Sequence, residues 1–119
     1  MFRTRLTLCA AVFTANLAMA EPPSISTVKD AYASWSPKGE RIVFSSNRSG
    51  NWDIWSVDSD GENLEQLTDA DGDDHYPSWS PDGTVIAFVS NRETGDYDLF
   101  LMDADGSNQQ RLNRNAALD

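Results

Sequence analysis

The sequence predicts an all-β fold of two four-stranded antiparallel units, preceded by a cleaved export segment. Three observations carry this. A unit of 44–45 residues occurs twice in a chain of 119. The apolar runs inside each unit are short, β-rich and bounded by Gly, Pro, Asp and Asn. No window shows a helical stripe long enough to compete.

The first twenty residues stand apart. Arg3 and Arg5 lie beside the initiator, an apolar run follows from Leu6 to Leu17, and it ends in Ala18-Met19-Ala20. A basic start, a short apolar run and an Ala-x-Ala ending describe a secretory signal peptide, with cleavage between Ala20 and Glu21. The run is too short for a transmembrane helix, which needs about 20 apolar residues. Glu21-Pro22-Pro23 breaks any helix that reaches it. Cys9, the one cysteine, leaves with the signal, so the processed chain forms no disulfide. The segment also removes two arginines and no acid, taking the net charge from −10 to −12. Such a chain is repelled by nucleic-acid phosphates and anionic membranes, which excludes both as main partners.

The repeat organises the remainder. Ser34-Trp35-Ser36-Pro37-Lys38-Gly39 recurs as Ser78-Trp79-Ser80-Pro81-Asp82-Gly83, and Ser46-Asn47-Arg48 as Ser90-Asn91-Arg92. After one inserted residue between Arg92 and Gly95, Asp58-Ser59-Asp60-Gly61-Glu62-Asn63 recurs as Asp103-Ala104-Asp105-Gly106-Ser107-Asn108. Residues 34–67 and 78–112 share seventeen identities in thirty-four aligned pairs, the mark of an internal duplication. A period of about 40–45 residues suits four short strands with their turns, the size of a propeller blade.

Each element then has a local reason. Ser-Pro-x-Gly places proline second and glycine fourth, as a type I turn prefers. Arg41–Ser45 and Thr84–Ser90 read as second strands, Ile54–Val57 and Leu99–Met102 as third strands. The hairpin between them absorbs the insertion. Asp60-Gly61 and Asp105-Gly106 mark the next hairpin, with fourth strands near Leu64–Thr68 and Gln109–Asn113. In the second unit the second strand is apolar on both faces, Ile86 and Phe88 against Val85, Ala87 and Val89, so it is expected to have neighbours on both sides.

These residues carry a resemblance. Pro77-Ser78-Trp79-Ser80-Pro81-Asp82-Gly83, then Ile86-Ala87-Phe88, Ser90-Asn91-Arg92, Asp98, Asp103-x-Asp105-Gly106 and Arg111-Leu112 resemble the TolB-type β-propeller repeat, a relative of the WD repeats. A close copy spans Ala33–Leu67. The chain so divides into a signal peptide (1–20), an N-terminal linker or remnant strand (21–32), blade 1 (33–68), an inter-blade loop (69–76), blade 2 (77–113) and a linker toward a missing blade (114–119). Two blades make an incomplete propeller, because closure takes about 4–8. The chain is read as truncated, with a homo-oligomer that completes the ring as the alternative.

Candidate residues are weighed against ordinary structural roles. Trp35 and Trp79 recur at one place in the repeat and are read as blade core. Trp52 and Tyr97, on the hairpin loops, are the candidate interface aromatics. Arg48 with Asp53, and Arg92 with Asp98, are read as cross-strand ion pairs that fix register. His75 is read as a loop residue, since no Gly-x-Ser-x-Gly elbow accompanies it. No catalytic, cofactor or metal residues are assigned. Calcium at Asp69–Asp74 stays open, although no segment completes an EF-hand pattern.

The resemblance implies a non-catalytic periplasmic module that binds cell-envelope proteins, as in the Tol–Pal system. Two alternatives stand beside it. One is the substrate-gating propeller of an exported serine peptidase or polysaccharide lyase. The other is a self-assembling propeller that holds a sugar or peptide. The repeat identifies a scaffold better than a task.

Overall fold

The computed structural model describes residues 27–112; the signal peptide with its Ala20–Glu21 junction, and residues 113–119, lie outside that range. Eight strands follow in order: β1 (Asp30–Trp35), β2 (Arg41–Ser46), β3 (Asp53–Asp58), β4 (Glu65–Gln66), β5 (Asp74–Trp79), β6 (Val85–Ser90), β7 (Asp98–Asp103) and β8 (Gln110–Arg111). They form two antiparallel meanders, β1-β2-β3-β4 and β5-β6-β7-β8. The turns close as the sequence demands. Gly39 N–H donates to the Ser36 carbonyl at 2.8 Å and Gly83 N–H to that of Ser80 at 2.9 Å. Asp60 and Asp105 each accept the amide two residues on, which fixes the Asp-Gly turns.

The first strands begin earlier than the motif suggests. β5 starts at Asp74, inside the stretch read as an inter-blade loop, and β1 starts at Asp30. Regular pairing hides behind a bulge: the register slips between Ala31 and Ser34, and again between His75 and Ser78. Tyr32 and Tyr76 sit at the bulges with φ of 57°, left-handed backbone that costs a non-glycine residue about 1–3 kcal/mol. A bulge of this kind re-aims a side chain, and here it turns two tyrosines toward each other.

The core lies between the blades. Cross-strand pairing puts Val43, Ser45, Ile54 and Ser56 on one face of blade 1, all at most 1% exposed. Ile86, Phe88, Phe100 and Met102 share the facing surface of blade 2 and form one cluster with Val43, Ile54 and Leu67. Phe88 and Phe100 stack at 5.6 Å. Each such side chain contributes about 1.5–3 kcal/mol when fully buried. Val43 and Ile54, flanked by the small Ser45 and Ser56, receive the larger Phe88, Phe100 and Met102 with Ile86. β5 lies across this interface, against β1, β2 and β3.

Two expectations change here. β6 is fully buried only on its Ile86–Phe88 face; Val85, Ala87 and Val89 are half-buried, because no described segment covers that side. The tryptophans are not equivalent. Trp79 packs on the core cluster and donates from Nε1 to the Ser34 carbonyl at 3.2 Å, whereas Trp35 is 60% exposed. The position belongs to the surface between blades, and Trp35 has no preceding blade to meet among the described residues.

Candidate binding site around His75

The chain entering each first strand is held by the Ser-Asn-Arg motif. Asn47 Oδ1 accepts the Lys29 amide and Asn91 Oδ1 the Asp73 amide, both at 2.7 Å. Arg48 reaches Asp30 at 2.9 Å, and Arg92 reaches Asp74 at 3.0 Å. Ser46 and Ser90 accept from the arginine Nε atoms, both at 3.0 Å. The guanidinium groups lie over aromatic rings, Arg48 over Trp55 at 5.2 Å and Arg92 over Phe100 at 4.8 Å.

These contacts correct the expected partners of the arginines. Asp53 accepts from Ser49 at 2.6 Å and Gln66 at 3.1 Å, while Asp98 accepts from Thr94 at 3.0 Å and lies 3.5 Å from Arg111. Each guanidinium instead meets the first-strand aspartate while lying over rings of the second and third strands.

The anchored strand ends carry an aromatic cluster. His75 is a β5 residue rather than a loop residue, and four rings surround it: Trp52 at 5.0 Å, Tyr76 at 5.8 Å, and Tyr32 and Tyr97 at 5.9 Å. Tyr32 and Tyr76 approach to 4.3 Å. The His75 Nδ1 is buried without a hydrogen-bond partner. Tyr32, Tyr76 and Tyr97 remain about half exposed, whereas Trp52 is partly covered. The backbone locks the cluster together: Trp52 N–H donates to Asp73 Oδ1 at 3.1 Å, and Asp74 N–H to the Trp52 carbonyl at 2.8 Å.

The surroundings are acidic. Burial raises the pKa of Tyr97, and the charges of Asp73 and Asp74 add to it. Hydrogen bonding with Tyr32 raises that of Tyr76. Burial also pushes Asp53 up to about 6, with Asp74 and Asp69 adding repulsion against the bonds from Ser49 and Gln66. A negative field over exposed ring faces favours cations. Among the described residues no group of three or more His, Cys, Asp or Glu is arranged to hold a metal ion. Asp73 and Asp74 of the Asp69–Asp74 stretch are engaged with Trp52 and Arg92.

Sequence reading found Trp52 and Tyr97 but missed Tyr32, Tyr76 and the central role of His75. The signal was present: Asp30-x-Tyr32 and Asp74-x-Tyr76 repeat at the same spacing as the tryptophans, just upstream of the motif.

Meander blades stacked face to face, with strand ends converging on one aromatic rim, define a β-propeller repeat scaffold. The chain belongs to the TolB β-propeller domain family, whose model matches residues 10–118. Among solved structures it is similar to a candidate TolB from Agrobacterium tumefaciens, at 34% identity and a TM-score of 0.64 over 70% of this chain and 32% of that one. It is also similar to TolB from Acinetobacter baumannii, at 25% identity and a TM-score of 0.61 over 71% of this chain and 21% of that one. The chain therefore spans a third or less of the length of these two. The tricorn protease, at 22% identity and a TM-score of 0.54 over 69% of this chain and 7% of that one, shares the fold alone. None of the curated proteins matches the chain.

Proposed function

We propose that the chain is a non-catalytic protein-binding propeller module of the cell envelope, exported by its N-terminal segment. The observation that carries this is the rim cluster of Tyr32, Trp52, His75, Tyr76 and Tyr97. Its rings are held by buried polar anchors, yet three of them stay open to solvent. Rigid aromatic rings expose contact area at little entropic cost, which suits them to anchoring a partner. The Asp73 carboxylate beside Tyr97 favours a polypeptide segment that presents Lys or Arg. Family membership and the similarity to TolB structures support the envelope setting.

Site-specific photo-crosslinking in the producing cell tests this. A photoreactive residue at position 97 is expected to trap a discrete envelope protein, and one at exposed Thr84 is not. Equal labelling from both positions, or a cytoplasmic chain that keeps residues 1–20, overturns the reading. Adducts containing only copies of the chain also overturn it.

A further inference from the structure

We propose that the cleft between the two Ser-Pro-x-Gly turns binds a free α-amino acid with an apolar side chain. The duplication makes the two turns equivalent, but one position is reversed in charge: Lys38 stands where blade 2 has Asp82. The turns pack side by side, an added Cβ on Gly83 falling 3.5 Å from Pro37 Cδ. Between them opens a cavity of about 410 Å³ that both Lys38 and Asp82 line. Ligand pockets run from about 300 to 1,000 Å³, and the small end of that range suits a molecule of amino-acid size.

One wall is apolar and fixed. Trp79 lines the cavity together with Pro37 and Pro81. Its indole packs on the core cluster and is tied through Nε1 to the Ser34 carbonyl, so the ring is in place before any ligand arrives. A preorganised surface of this kind takes an apolar side chain with little ordering cost.

The charges around that wall are uncompensated. Asp82 fixes its own turn, accepting from Ser80 Oγ at 2.7 Å, Thr84 Oγ1 at 2.8 Å and Thr84 N–H at 3.0 Å. All three bonds fall on Oδ1 and none of them uses Oδ2. Lys38 has no such duty. Its turn closes through Gly39 N–H and the Ser36 carbonyl, with Ser36 Oγ accepting the Glu40 and Arg41 amides. Among the described residues Lys38 enters no ion pair, with Asp82 or with Glu40, which lines the same cavity. Arg41, also on the lining, is already held by Asp58 and Ser56.

A cation and a carboxylate that share one apolar wall without meeting fit a ligand that carries both charges. Its carboxylate lies at Lys38, its ammonium at Asp82 Oδ2 and Glu40, and its side chain over Trp79. A zwitterion is also the charge state that a chain of net charge −10 does not repel. The cleft is separate from the aromatic rim. β5 starts beside the rim, with His75, and ends at the cleft, with Trp79, about 13 Å further on. The failure of either site leaves the other standing.

An NMR titration of the purified chain with L-phenylalanine tests the proposal. Shifts are expected at the Gly39 and Gly83 amides and the Trp79 indole N–H, and not at the Trp52 indole, with a Kd of about 1 mM or tighter. N-acetylphenylalanine lacks the ammonium and phenylalaninamide lacks the carboxylate. Each should bind about tenfold or more weakly, as the loss of a charged hydrogen bond demands. Lys38→Asp copies the turn of blade 2, and Asp82→Asn keeps an oxygen for Ser80 and Thr84; circular dichroism checks that both variants stay folded. Each should weaken L-phenylalanine by a similar factor. Absence of shifts up to about 20 mM ligand overturns the proposal. So do shifts centred on the rim, equal binding of the three compounds, or a Lys38→Asp variant that binds as tightly as the unaltered chain.

Discussion

Blade 1 and blade 2 carry the same motif residues in the same strands, yet the second is the more deeply buried. Asp74 is fully buried while its counterpart Asp30 keeps half of its side-chain surface exposed. Trp79 is packed where Trp35 is open, and Gly106 is in close contact where Gly61 is free. Local bonding is nearly identical, down to the Ser-Asn-Arg anchors. What differs is whether a neighbouring blade covers the face. A propeller motif therefore specifies two things separately: the shape of a blade, and a contact that exists only when another blade is present.

The largest test of that distinction is the arginine pair. Arg92→Ala strands the fully buried Asp74 carboxylate, one oxygen of which already lacks a partner. The loss should reach about 3–5 kcal/mol. Arg48→Ala leaves Asp30 in contact with water and should cost about 1 kcal/mol. Urea denaturation of the two variants side by side gives both values, and equal costs would break the comparison.

Next come the tryptophans. Trp79→Ala should destabilise the dilute chain by about 3 kcal/mol, through lost packing and the bond to Ser34. Trp35→Ala should change it by less than about 0.5 kcal/mol. Thermal unfolding at micromolar concentration reads the difference.

A third test uses pH. The folded Asp53 carboxyl holds its proton more tightly than the unfolded chain does, its pKa raised from 3.8 to about 6. Its contribution to stability is thus fully present below about pH 4 and is lost as pH rises through about 6. Asp53→Asn keeps an oxygen for Ser49 and Gln66 and removes the charge. It should stabilise the fold by about 1–3 kcal/mol at pH 8 and give no gain at pH 4. Denaturation at both values of pH checks the sign.

The smallest expected difference lies in the turns. Gly61→Ala and Gly106→Ala both force alanine to φ of 91°, but only the second meets the Leu67 carbonyl. Gly106→Ala should cost about 1 kcal/mol more than Gly61→Ala in the same denaturation experiment.

Much of the fold was legible because it is written in short-range chemistry. Ser-Pro-x-Gly and Asp-Gly specify turns, β-rich runs specify strands, and the duplication specifies two blades. The site was only half legible. Trp52 and Tyr97 sit beside the hairpin signals, but Tyr32 and Tyr76 lie at bulges upstream of the motif, where nothing local announces left-handed backbone. His75 gathers four rings contributed by loops and strands of both blades, a convergence that no neighbour in sequence reveals. The arginine pairs were misread for a related reason. Asp53 and Asp98 are the near acids in sequence, but each guanidinium lies over rings of the second and third strands and pairs with the first-strand aspartate. Trp35 and Trp79 could not be told apart, since identical sequence around them says nothing about which face is covered.

The interface between two unlike faces of successive blades also bears on how such chains grow. Because a blade carries both halves of the contact on opposite sides, copying one whole unit in a gene supplies the donor and the acceptor together. No second change is needed to make the new piece fit. The chain therefore has a reading direction in space.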